Sequence, residues 1–118
     1  MEKALLIAKI TKILLDKKCK NVLSIDVSQK TDVTEAYVIC SAKNAPQAKA
    51  TYEEICAILE AEGIYTYGVD GLREGKWIVM DYDNVIVHIF HTNVRDLYRF
   101  EELWGDPDGK NITRYEEE

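Results

Sequence analysis

No stretch of this sequence carries the roughly 18 consecutive apolar residues that a membrane-spanning helix needs, no glycine-rich loop leads into a helix, and no two cysteines form a C-x-x-C. The first absence excludes a helical bilayer span. The second leaves phosphate-transfer chemistry without its usual cradle, and the third removes the commonest zinc and dithiol signatures. The three cysteines are Cys19, Cys40 and Cys56. Cys40 and Cys56 fall in runs that read as a buried strand and a helix face, so the set reads as reduced, packed thiols. The start, Met1-Glu2-Lys3-Ala4, leads into a helical pattern rather than a signal peptide, and a cytoplasmic protein is expected.

What is present is the material of one core: 118 residues, 47% of them hydrophobic, with no internal repeat or linker. The net charge of −6 is unevenly spread. Six lysines (Lys3, Lys9, Lys12, Lys17, Lys18, Lys20) face only Glu2 and Asp16 in the first twenty residues, and the remainder sums to −10. An acidic surface of this kind repels phosphate, so no nucleic-acid specificity is expected, while a basic protein partner is permitted.

Periodicity orders the elements. Leu6, Ile10, Ile13 and Leu14 share one face of a helix over residues 3–17, opposite Lys9, Lys12 and Asp16. Asn21 to Val27 alternates as a strand, and Ala36 to Ser41 is a continuous apolar run such as a central strand shows. Asn44, Pro46 and Gln47 form a helix start, after which Ala48, Tyr52, Ile55, Cys56 and Leu59 line one face until Gly63. Ile64 to Val69 reads as a short strand that follows this helix, with a right-handed crossover if it lies parallel to the strand before it. Trp77 to Tyr82 and Val85 to Phe90 should form an antiparallel hairpin through Asp83-Asn84. Val94 to Trp104 is helical again, stopped by Gly105 and Pro107. The expected fold is therefore α/β (α+β): a single domain over residues 1–106, with a mixed sheet of about five strands and flanking helices in the order α-β-β-α-β-β-β-α. Residues 107–118 should form a flexible acidic tail.

Chemistry is sparsely signalled. Asp81-Tyr82-Asp83 is a D-x-D of the kind that holds magnesium in nucleotidyl-transfer enzymes, but a third carboxylate is not evident and Asp83 has a place in the turn. Alternation sets His88 beside Ile86 and Phe90, as a hydrogen-bonded core or edge histidine; no acid or nucleophile is placed to make it or His91 catalytic. The last third is dense in amphipathic rings, with Trp77, Tyr82, Tyr98, Phe100 and Trp104 interleaved among Asp70, Asp81, Glu101 and Glu102. Such rings serve either as core or as interface anchors. Alternation also puts Trp77, Val79 and Asp81 on one face of their strand and Ile78, Met80 and Tyr82 on the other.

Four segments together resemble the ribosomal silencing factor (Iojap) family: Lys18 to Ser28, Gln47 to Ala50 with its helix, Gly71 to Phe90, and Arg95 to Trp104. The Trp-x-x-x-Asp-Tyr strand, the Val-His strand and the Arg-x-x-Tyr-x-x-Glu-x-Leu-Trp helix carry most of the likeness. The resemblance implies a nucleotidyltransferase-like fold without the active site, no cofactor or catalytic metal, and no enzymatic activity. It also implies a partner, the large ribosomal subunit reached through its fourteenth ribosomal protein, and a block on joining of the small subunit when nutrients are scarce. The expected contacts are Asp70, Gly71, Trp77, Met80, Asp81, Tyr82, Tyr98 and Trp104, and a homodimer of the free protein is compatible with that role. Two alternatives stand beside it: a magnesium-dependent nucleotidyltransferase using Asp81 and Asp83, and a self-associating scaffold.

Overall fold

The computed structural model describes residues 2–116, except for the side chains of residues 96–98. Helix α1 (Lys3–Asp16) buries the four apolar residues that its spacing predicts, together with Thr11. It ends in a left-handed residue, Lys18 (φ 65°), with Cys19 N–H donating to the Leu14 carbonyl and Lys18 N–H to that of Leu15. This double bond satisfies carbonyls that would otherwise be orphaned, and it turns the chain into the sheet. Strand β1 (Lys20–Asp26) follows, then β2 (Ala36–Ala42), which is buried along its whole length as the continuous apolar run requires.

Helix α2 (Ala45–Ala61) starts where Asn44 accepts a hydrogen bond from Gln47 N–H at 2.8 Å, and Gln47 Oε1 in turn accepts from Lys43 N–H at 2.7 Å. It stops at Gly63 (φ 78°), with Ile64 N–H donating to the Leu59 carbonyl. Strands β3 (Gly68–Asp70), β4 (Trp77–Asp81) and β5 (Val85–His91) come next, then helices α3 (Thr92–Tyr98) and α4 (Phe100–Trp104), and finally β6 (Ile112–Tyr115).

The sheet runs β3-β4-β5-β2-β1-β6, and among the described residues only β2 and β5 pair in parallel. The two sheet faces carry separate cores. Ile78, Met80, Tyr82, Val85, Val87 and Ile89 pack with α1 and α2, whereas Tyr37, Ile86, Phe90 and Phe100 belong to the opposite cluster, against which Trp77, Val79 and Trp104 rest. Strand alternation divides the residues between the two.

Three expectations are corrected. The short strand expected over Ile64 to Val69 forms only at Gly68–Asp70: Tyr65 and Tyr67 stay exposed, and β3 pairs antiparallel to β4 at the sheet edge, so the condition for a parallel crossover is not met. The C-terminal helical pattern breaks in two at Arg99, which adopts a left-handed conformation (φ 48°). The tail expected from residue 107 instead contributes a sixth strand. Asn111 Nδ2 donates to the carbonyls of Asp26 and Trp104, Lys30 pairs with Asp106 at 2.8 Å, and the Ser24 and Tyr115 hydroxyls meet at 3.0 Å. A four-residue strand with apolar residues only at its ends carries too little periodicity to be read locally.

Candidate functional site

Trp77 and His88 face each other across the β4–β5 ladder. Val79 pairs with His88 and Trp77 with Phe90, and the indole Nε1–H of Trp77 donates to His88 Nδ1 at 3.0 Å. The imidazole is buried, and its ring centroid lies 4.4 Å from that of Phe100 and 5.0 Å from that of Tyr37. Burial lowers the His88 pKa to about 3, so the ring is neutral at physiological pH. Its Nε2 has no hydrogen-bond partner among the described residues. A neutral imidazole walled in by rings and holding an indole in place is a positioning device, with no carboxylate or thiol bonded to it among the described residues.

Trp77 itself is only half-buried. Its ring stacks on Phe90 at 4.8 Å and meets Phe100 edge-on at 6.3 Å, while α3 lies over β5 and β2 and Phe100 and Trp104 of α4 join the ring cluster on this face. Cross-strand partners share a face, so the register of Asp70 with Val79 places Asp70, Trp77, Val79 and Asp81 together on the side where α3 and α4 lie. Among the described residues the result is an open step at the β3–β4 end of the sheet: an aromatic ring and a valine, each half-buried, rimmed by two carboxylates. The Asp81 carboxylate also accepts a hydrogen bond from Asp83 N–H at 2.7 Å, which closes the hairpin turn in which Asp83 stands at φ 71°. Asp81 and Asp83 are therefore joined by turn geometry, and no group of three or more His, Cys, Asp or Glu among the described residues could hold a metal ion.

The eight expected contacts divide. Asp70, Trp77 and Asp81 meet on this step, and Trp104, half-buried on α4, lies on the same side with its ring 5.2 Å from Tyr37. Met80 and Tyr82 are enclosed in the opposite core, so for them a surface role gives way to packing beneath α2. The side chain of Tyr98 lies outside the described residues; among the described ones Phe100 meets Trp77 edge-on. Gly71 acts through its backbone. It has φ 79°, and a Cβ there would fall on the Trp77 carbonyl oxygen. The exposed apolar side chains include Tyr67, before β3, and Leu103, beside Trp104, neither of which stands among the expected contacts. Both sit within otherwise ordinary local patterns, and only their lack of cover marks them.

Gly71 and Gly63 offer a controlled comparison, because both have positive φ but only Gly71 is crowded. Gly63→Ala should cost about 1–2 kcal/mol through left-handed backbone strain alone. Gly71→Ala should cost more than that and loosen the β3–β4 turn. Urea unfolding of the two variants checks this; equal losses would show that the turn relaxes around a methyl group.

Comparison with known proteins agrees with this architecture. The family model described as "Ribosomal silencing factor during starvation" matches residues 2–118. The ribosomal silencing factor of Bacillus subtilis is 32% identical over 91 residues, 77% of each chain. A crystal structure of a Chromobacterium violaceum protein superposes with a TM-score of 0.82 at 30% identity, covering 88% of this chain and 87% of that one. One from Bacillus halodurans gives 0.72 at 25% identity, covering 86% and 91%. A match over almost the whole length, with the same α+β sheet, makes this chain a member of the ribosomal silencing factor family, which is a family of regulators and not of enzymes.

Proposed function

We propose that this protein silences ribosomes by binding the large subunit through its fourteenth ribosomal protein and occupying space that the small subunit needs. The observation that carries the reading is the open step at β3–β4, where the half-buried Trp77 and Val79 are rimmed by Asp70 and Asp81. An aromatic anchor beside apolar surface supplies affinity, and carboxylates at the rim supply register and association rate toward a basic partner. Trp104 and the exposed Leu103 extend the same side of the molecule. Silencing then needs bulk alone. A cytoplasmic location follows from this reading as part of the proposal; separately, no helix among the described residues is long and apolar enough to cross a membrane.

The test pairs binding with folding. Asp70→Lys reverses an exposed charge, and Asp81→Asn removes a charge while an amide oxygen can still accept from Asp83 N–H. The double variant should cosediment with isolated large subunits about tenfold more weakly or worse, because an attractive rim has become a repulsive one. Its thermal melt should match that of the parent chain. Unchanged binding with an unchanged melt would move the contact off this step.

A second reading, self-association of the free protein, draws on the same step: the apolar surface that meets a ribosomal protein could also meet another copy. Sedimentation equilibrium of the parent chain and of Trp77→Ala distinguishes a dimer that uses this face from a monomer.

A further inference from the structure

Cys19 stands between the end of α1 and the start of β1, and Cys40 lies in the middle of β2. The pairing of Lys20 with Ser41 sets the two cysteines as diagonal neighbours on the α1–α2 face of the sheet. Both side chains belong to the same buried cluster, and the Cys19 sulfur lies 3.6 Å from the Thr51 hydroxyl of α2. The backbone around Cys19 is irregular. Lys18 and Asn21 both have positive φ, and the β1–β2 register shifts between Lys20 and Leu23. That segment is not locked into a regular ladder and can shift by the small amount that bonding two sulfurs requires.

The two thiols differ in access. Cys19 lines a cleft of about 380 Å³ with Leu15, Lys20, Asn21, Arg114 and Tyr115, and retains 4% exposure, whereas Cys40 has none. The hydrogen bond from Cys40 lowers the Cys19 pKa to about 7, with Thr51 and Lys17 adding to it against the effect of burial. The same bond, together with burial, holds Cys40 well above the ordinary thiol range. One thiol is therefore reachable and readily ionised, and the other is hidden beside it, which is the division between an attacking and a resolving cysteine.

We propose that Cys19 and Cys40 form a reversible dithiol–disulfide couple, with Cys19 the sulfur oxidised by a small hydroperoxide and Cys40 the resolving thiol. Cys19 gives up its proton, and its thiolate attacks the outer peroxide oxygen. The O–O bond breaks, the departing alkoxide or hydroxide takes a proton, and the sulfur is oxidised by two electrons to a sulfenic acid while the peroxide is reduced. The Cys40 sulfur then attacks the Cys19 sulfur, the S–O bond breaks, and water leaves with the Cys40 proton. Overall, two thiols and one hydroperoxide give one disulfide, one alcohol (or water) and one further water. Asn21 and Ser41, whose oxygens accept from the Arg95 guanidinium at 2.7 and 2.9 Å, lie next to the couple, so closing the bond acts on the anchor that holds α3 to the sheet.

The experiment treats the full chain with hydrogen peroxide, blocks the remaining thiols with N-ethylmaleimide, and maps peptides by mass spectrometry. The expected result is a Cys19–Cys40 linked peptide with Cys56 labelled, and full labelling of all three after dithiothreitol. Cys40→Ser should stop at a Cys19 sulfenic acid that dimedone traps, and Cys56→Ser should leave the linkage unchanged. The map of the parent chain is decisive by itself if Cys40→Ser fails to fold. Full labelling of Cys19 and Cys40 after peroxide, or oxidation of Cys19 without linkage to Cys40, would overturn the proposal.

Discussion

Arg95→Ala is expected to lower unfolding free energy by about 3 kcal/mol, near the lower end of what breaking a buried ion pair costs. The guanidinium is 5% exposed and donates to four acceptors: both carboxylate oxygens of Glu101 (3.4 and 3.0 Å), the Asn21 carbonyl and the Ser41 hydroxyl. It therefore ties α3 and α4 to β1 and β2 at a place where β1 is irregular. Truncation leaves Ser41 buried without this donor and strips Glu101 of the partner that holds its carboxyl below the ordinary range against the opposing effect of burial. Glu101 is partly wet, with 26% of its side chain exposed, and water can take over some of the loss. That is why the lower end of the range is expected. In a domain of this size such a loss lowers the melting temperature by roughly 10–15 °C. Arg95→Lys should recover only part of it, because an ammonium cannot span the fork of acceptors. Near-ultraviolet circular dichroism should flatten along with the melt, since Phe100 and Trp104 rest on this anchor. A melt within two degrees of the parent would show that α3 and α4 are held by ring packing alone.

Acid should destabilise the protein earlier than its carboxylates alone would dictate, and His88 is the reason. Its folded pKa of about 3 lies below the ordinary value of 6.5, so the unfolded chain takes up a proton that the folded chain refuses. The stability tied to the neutral ring is complete above pH 6.5 and falls as the pH drops toward 3, by about 1.4 kcal/mol for each pH unit. At pH 4.5 the loss should reach about 2–3 kcal/mol. Glu101 and Asp26, both held below their ordinary ranges, add their losses only at lower pH. Glu101 draws on Arg95 against burial, and Asp26 on its bonds from Ser28. The window from pH 6.5 to 4.5 therefore isolates the histidine. His88→Gln can still accept from the Trp77 indole but does not titrate. Urea midpoints at pH 7 and pH 4.5 should differ much less in this variant than in the parent, and parallel losses in the two proteins would assign the acid sensitivity elsewhere.

The elements themselves were written locally. A period of 3.6 and a cap at each end define α2, a period of two defines β4 and β5, and Asp83 accepts the positive φ on which the hairpin turns. Alternation also separated Trp77, Val79 and Asp81 from Ile78, Met80 and Tyr82 before any fold was known. It could not say which face would be covered, because a periodic pattern marks two sides and carries no record of what packs on either. That decision belonged to the tertiary structure: α2 closes over Met80 and Tyr82, whereas Trp77 and Val79 on the other face stay half-buried. The same limit hid the parallel pairing of β2 with β5, the sixth strand, and Arg95, whose acceptors at Ser41 and Asn21 lie 54 and 74 residues away along the chain. Short-range spacing reports how a segment folds upon itself. The partners that complete a sheet edge or satisfy a buried guanidinium are chosen only when distant segments are brought together, since burial and unpaired polar groups acquire their energetic cost only there.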